Sequence, residues 1–231
     1  MIGLLTGAVA GAAAAPVLRM VAARHSVPSG EPRWSCGCER PPRWLPPSGV
    51  CPRCAVRGGP APYAVEAVAA AVGAAIGSAG HWPFLLVLGW AGLFGVVLAF
   101  VDVAVHRLPD PLTLRLALGT AVLLPVAALL AHRPEVLSRC LVAAVVLFLL
   151  YGGMALFVPM GLGDAKLAPS LGALLAWYDW RTVVAGVFAG FLCGALWGVA
   201  LLLTGRAKAK DPLPFGPCML LGALAAVLTA G

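Results

Sequence analysis

Nine Asp and Glu residues punctuate a chain of 231 residues that is 61% hydrophobic and only 11% charged. Most fall in polar stretches, as Glu31, Glu39, Glu135, Asp179 and Asp211 do. Two do not. Asp102 closes the apolar run LLVLGWAGLFGVVLAFV, and Asp164 lies in Gly161-Leu-Gly163-Asp164-Ala-Lys166, just past another apolar run. Ionisable groups beside hydrocarbon are costly and mark functional positions by default. Two carboxylates that meet across a bundle share a proton. One can then take a proton from water while the other, protonated, polarises a peptide carbonyl, which is aspartic proteolysis without covalent intermediate or metal. Gly161 and Gly163 permit close backbone approach, so an extended peptide can pass beside Asp164. The four residues Gly-Leu-Gly-Asp fit a simple turn with an interfacial Asp equally well.

A second set of chemically capable residues is Cys36, Cys38, Cys51 and Cys54, all in one polar loop. Four thiolates can hold one Zn²⁺ tetrahedrally. Cys51-Pro-Arg-Cys54 has zinc-knuckle spacing, and Cys36-x-Cys38 is less usual but feasible. On a cytoplasmic face these thiols stay reduced; thiols without metal, or a disulfide under inverted topology, are the alternatives. Cys140, Cys193 and Cys218 sit in apolar runs and read as small packing residues.

The elements that must position these groups are membrane spans. A soluble globule needs more polar surface than this composition supplies. Eight apolar segments are expected to be helical spans, at about 2–23, 63–80, 82–105, 112–131, 136–158, 165–178, 182–204 and 214–230. The opening run lacks a basic start, its first cation being Arg19, and reads as a retained span rather than a signal peptide. Thirteen of the sixteen Lys and Arg fall on the side of the loop after the first span, against Arg133, Arg139 and Arg181 on the other. That bias makes the loop cytoplasmic and puts both termini outside. The net charge of +7 is therefore topological and does not call for nucleic acid. The expectation is an all-α integral membrane protein of about eight transmembrane helices: a first helix (1–23), a small Cys-rich cytoplasmic loop (24–62) and a polytopic domain (63–231).

Taken together, three motifs carry a family resemblance. Asp102-Val-Ala-Val-His106-Arg107-Leu-Pro-Asp110-Pro-Leu-Thr113 resembles the first catalytic segment of the type IV prepilin peptidases. Gly161-Leu-Gly163-Asp164-Ala-Lys166-Leu is similar to that family's Gly-x-Gly-Asp-x-Lys-Leu, and Leu213-Pro214-Phe215-Gly216-Pro217 to its late Pro-Phe-Gly-Pro element. Each is weak alone, but all three occur in the family's order. The resemblance implies that Asp102 and Asp164 are the catalytic pair. Asp110, the rival for the first position, takes an orienting or helix-capping role. Lys166 acts on Asp164 or snorkels to lipid phosphate. His106 and Arg107 meet headgroups, and Pro214 to Pro217 shape the loop near the site. The implied substrates are prepilin or pseudopilin precursors, cut behind a basic leader at the cytoplasmic face of the bacterial inner membrane. The partners are then that precursor and the bilayer, and proteolysis takes no cofactor.

The cysteine loop resembles part of the region in which longer family members carry two cysteine pairs and N-methylate the new terminus with S-adenosylmethionine. The matching residues are Arg24-His25-Ser-Val-Pro-Ser-Gly-Glu31-Pro, Pro46-Pro-Ser-Gly-Val-Cys51-Pro-Arg-Cys54, and Tyr63 with Glu66. The loop is shorter than in the bifunctional form and its first pair is Cys-x-Cys. No Gly-rich cofactor loop is present, so S-adenosylmethionine enters only if methyl transfer is retained. Other classes compete: a proton-coupled transporter component using Asp102 and Asp164 as a relay, a non-catalytic scaffold presenting a zinc loop, or a Gly-x-Gly-Asp protease akin to presenilin.

Overall fold

A computed structural model describes residues 2–27, 38, 43–79, 81–157, 161–205 and 213–230. Cys36 and the cationic stretch 206–212 lie outside the described residues. Within them the chain forms eight helices: α1 (Ile2–His25), α2 (Ala64–Ala79), α3 (Leu85–Val105), α4 (Asp110–Leu130), α5 (Val136–Phe157), α6 (Leu162–Ala176), α7 (Trp180–Leu203) and α8 (Gly216–Ala230). The only strand-like pairing among the described residues is a single bridge, Val50 to Arg57. α1, α3, α4, α5 and α7 are long and apolar enough to cross a membrane; α2, α6 and α8 are shorter, with 16, 15 and 15 residues. This is a multi-pass membrane protein. Each helix falls on one of the eight expected segments. α3 and α6 each start about three residues from the expected position, α6 early enough to include Asp164 in its first turn.

Many large apolar side chains face outward, and small residues form several of the helix contacts. α7 shows this best. Val184, Phe188, Leu192 and Leu196 are exposed, while Gly186, Gly190 and Gly194 are buried. With lipid as solvent, helices gain by close packing of small residues rather than by hiding apolar ones. A Cβ on Gly186 or Gly194 would lie 2.6 Å from Leu175 Cδ1 or 2.7 Å from Phe215 Cε2.

The same rule builds the antiparallel α1–α2 pair. Gly3, Gly7 and Gly11 of α1 face Gly77, Gly73 and Ala69 of α2, and a Cβ on any of the three would sit 2.0–2.3 Å from a carbonyl oxygen of α2. Both helices thus carry a small residue at every fourth position. Toward the other end of this pair, Arg19 is fully buried. Its guanidinium binds Glu66 with both arms, Nε donating to Oε1 at 3.0 Å, and Nη1 donates to the carbonyls of Pro60 and Ala61 at 2.8 and 3.1 Å. The buried charge is therefore paired and hydrogen-bonded, as burial requires.

α6 is the central helix, with most of its residues buried among α4, α5, α7 and α8. Its fifteen residues span about 22 Å, less than a bilayer's hydrocarbon of about 30 Å. Its C-terminus is capped by Arg139, which donates to the carbonyls of Ala176, Trp177 and Tyr178. Next to it, Asp179 caps α7 by accepting from Thr182 N–H and Oγ1, both at 2.7 Å. Trp177 stacks on Phe84, centroids 4.4 Å apart. These contacts close one end of the bundle. Because the helices alternate in direction, Asp102, Asp164 and the N-terminus of α8 all come to the opposite end.

Candidate active site

Asp102 lies in the last turn of α3 and Asp164 in the first turn of α6, only 4% and 6% exposed. They lie at the same end of the bundle, one where α3 ends and the other where α6 begins. α3 stops just after Asp102 because His106 turns left-handed (φ 51°), its N–H closing on Asp102 O at 2.7 Å. This leaves the Asp102 side chain at the helix end, facing the start of α8. There Gly216 N–H donates to Asp102 Oδ2 at 2.9 Å.

Pro-Phe-Gly-Pro now has a physical explanation. Gly216 is the first residue of α8, so its N–H is one of the helix's unpaired donors and lies at its positive end. A carboxylate, which only accepts, fits there. A Cβ on Gly216 would lie 2.9 Å from Asp102 Oδ2, so the contact needs glycine. Pro217 follows at a position where a helix needs no N–H.

Leu108 is the wedge between the two halves of the site. It is buried, and a Cβ on Gly163 would lie 2.8 Å from Leu108 Cβ, one on Gly216 3.4 Å from Leu108 Cδ2. Gly163 thus serves close approach. Gly161 has an ordinary φ of −67° and occupies the N-cap position of α6; its carbonyl accepts from Asp164 N–H at 3.0 Å. That backbone conformation is open to any residue.

Lys166 and Asp110 are brought together, away from the pair. Lys166 Nζ contacts Asp110 Oδ1 at 2.6 Å, with side chains 46% and 72% exposed. Pro109, not Asp110, holds the N-cap position of α4, and no side chain caps it. Asp110 therefore joins α4 to α6 rather than capping a helix. Pro214 and Phe215 are buried. Phe215 belongs to an aromatic trio with Tyr151 and Phe191, centroids 5.3 to 6.3 Å apart. Tyr151, from α5, is buried against Phe215, the residue before Gly216. Sequence reasoning missed it; the available signal was a lone hydroxyl-bearing aromatic in the run 136–157.

At the same end, Cys38, Cys51 and Cys54 bring their sulfurs within 4.8 Å of one another, Cys38 and Cys51 at 3.9 Å. A tetrahedral site with metal–sulfur bonds of about 2.3 Å puts sulfurs about 3.8 Å apart, so this donor set can hold a metal ion. A knuckle presents two of them: Cys51 N–H donates to Val56 O and Ala55 N–H to Cys51 O, with Ala55 left-handed (φ 57°). The cluster packs on Met20 and Ala23 of α1 and on Leu45.

Over 150 residues the chain is 35% identical to the leader peptidase HopD of Salmonella typhimurium, covering 58% of this chain and 85% of that protein. The chain belongs to the type IV leader peptidase family. The family's sequence model matches residues 90–199, the segment holding Asp102, Tyr151 and Asp164. The prepilin leader peptidase/N-methyltransferase of Aeromonas salmonicida is 31% identical over 136 residues, 58% of this chain and 45% of that protein. That of Stutzerimonas stutzeri is 29% identical over 147 residues, 62% of this chain and 48% of that protein. The chain thus matches about half the length of these two relatives. No solved structure matches it.

Proposed function

We propose that this protein is a membrane aspartic endopeptidase that removes the leader from type IV prepilin-like precursors, with Asp102 and Asp164 as its catalytic pair. The observation that carries this is the burial of two carboxylates from separate helices, in the last turn of α3 and the first turn of α6, at one end of the bundle, one of them held by Gly216 N–H. The names of the relatives supply the substrate class.

Asp102, held as an acceptor at the positive end of α8, takes a proton from the attacking water. Asp164 carries the shared proton and donates it toward the scissile carbonyl oxygen. The tetrahedral adduct collapses as the proton now on Asp102 passes to the departing amine. Leu108 and the aromatic trio exclude bulk water from the inner side of the pair. Lys166 pairs with Asp110 at the exposed edge between α6 and α4, outside the reacting groups.

Residues 24–62 form a metal-stabilised cytoplasmic loop, with Cys36 as the fourth ligand beside Cys38, Cys51 and Cys54 of a structural Zn²⁺; residues 63–231 carry the protease. The bilayer is the bacterial inner membrane and the site faces the cytoplasm. The cation bias supports this: Arg24, Arg53, Arg107 and Lys166 lie at the site's end of the helices, and Arg133, Arg139 and Arg181 at the other.

The test is co-expression with a prepilin in membranes, with leader removal followed by mass spectrometry. Wild type and Asp110→Asn should cleave, while Asp102→Asn and Asp164→Asn should not. Cleavage by both dyad variants would sink the assignment. An extra methyl group on the mature terminus would show that methyl transfer with S-adenosylmethionine is retained.

A further inference from the structure

Away from the carboxylate pair, α4 and α5 each pack on α6 but touch each other little, and a cleft of about 380 Å³ remains between the three helices, open on its outer side at the exposed Ala121 and Leu141. Its wall includes Thr120, Pro125, Cys140, Pro169 and Ser170. Thr120 and Ser170 are 3% and 4% exposed, and neither hydroxyl has a hydrogen-bond partner.

These two hydroxyls are exceptional among the described residues. Helical Thr6, Ser78, Thr113, Ser138 and Thr229 each donate back to a carbonyl three or four residues earlier. Thr182 donates to Asp179. Thr120 and Ser170 do neither, and both line the same cleft. The prolines add to its polarity. Pro125 lacks the N–H that would serve the carbonyl of Ala121, a residue also on the wall, and Pro169 withholds one from Ala165.

Polar groups left unpaired within a membrane cost free energy that packing does not return. A lipid chain would fill the volume and leave both hydroxyls unpaired. Water satisfies them, given room and two to four polar partners, and this cleft has both. We propose that it is an intramembrane hydration site, in which ordered water bonds the hydroxyls of Thr120 and Ser170 and the carbonyl of Ala121. Ser170 lies six residues beyond Asp164, about 9 Å along α6. The helix that carries Asp164 thus rests on α4 partly through water, an adaptable partner.

The test uses the full-length protein in lipid nanodiscs, comparing wild type with Thr120→Val, Ser170→Ala and the double variant. Both substitutions are near-isosteric, so folding is preserved. With water bound, each lowers Tm by about 2–4 °C. The double variant loses less than the sum, because both hydroxyls serve one network. A Tm that is unchanged or raised in the single variants would mean the hydroxyls have no partner to lose, and the proposal fails. Water-edited solid-state NMR reads the occupant directly. Build-up of the Thr120 and Ser170 Cβ signals from water supports the site; build-up only from acyl-chain protons overturns it.

Discussion

At the residue scale, the carboxylate pair is defined by what touches it. Gly216 offers Asp102 a hydrogen bond at 2.9 Å, and its missing Cβ leaves room for that bond. Gly216→Ala keeps the N–H but sets a methyl against Oδ2 and Leu108. We expect leader cleavage to fall about a hundredfold, the scale of a misplaced reacting group, with helical content unchanged by circular dichroism. Lys166 offers a contrast. Its pairing with Asp110 is largely exposed, and such pairs contribute about 0–1 kcal/mol. Lys166→Gln should keep cleavage within a few-fold of wild type and barely change Tm; an effect as large as that of Gly216→Ala would mean that the lysine acts on the reacting groups. Sequence placed Asp102 and Asp164 as odd carboxylates beside apolar runs. It did not show that Asp110 would find Lys166, because that contact joins positions 56 residues apart.

At the element scale, helix ends and helix faces carry the order. Eight helices were legible because long apolar runs leave few alternatives, yet the α1–α2 seam was not. Gly3, Gly7 and Gly11 are ordinary in a Gly-rich run until α2 sets Gly77, Gly73 and Ala69 against them. Gly7→Leu places a bulky side chain where a Cβ already lies 2.1 Å from the Gly73 carbonyl oxygen. The pair must separate, and a lower Tm with easier proteolysis of the loop between α1 and α2 is the expected result. The junction of α6 and α7 yields a pH prediction. Asp179 accepts two hydrogen bonds from Thr182, which hold its carboxyl below the ordinary Asp value. A group lowered in this way stabilises the fold at pH above its unfolded value, about 3.9, and loses that contribution as pH falls through its folded value. Wild type should therefore exceed Asp179→Ala in Tm at neutral pH, and the gap should close only under acid conditions below the ordinary Asp range.

At the scale of the whole molecule, the cysteine cluster and the carboxylate pair share one end of the bundle, linked through α1 and α2. The sequence made the cysteines visible as ligand-spaced thiols, but their seating on α1 depends on a contact no spacing reveals. Met20, Ala23 and Leu45 pack under Cys51, while Arg19 ties Pro60 and Ala61 to Glu66. A metal held by Cys38, Cys51 and Cys54 would clamp two strands of the loop onto this seat, because a preformed donor set converts binding free energy into folding free energy. Purified protein is then expected to carry one zinc per chain by elemental analysis. A chelator that removes it should lower Tm and expose the loop after α1 to protease, and adding zinc back should reverse both effects. Cys51→Ser should show the same loss without chelator and no rescue by zinc. The α3–α8 contact between Asp102 and Gly216 does not involve α1, so cleavage by the metal-free protein should survive below its lowered Tm. If chelation abolishes cleavage while Tm is unchanged, the metal acts at the reacting groups and the clamp is wrong. If chelation alters neither, the sulfurs are packed against α1 without a metal.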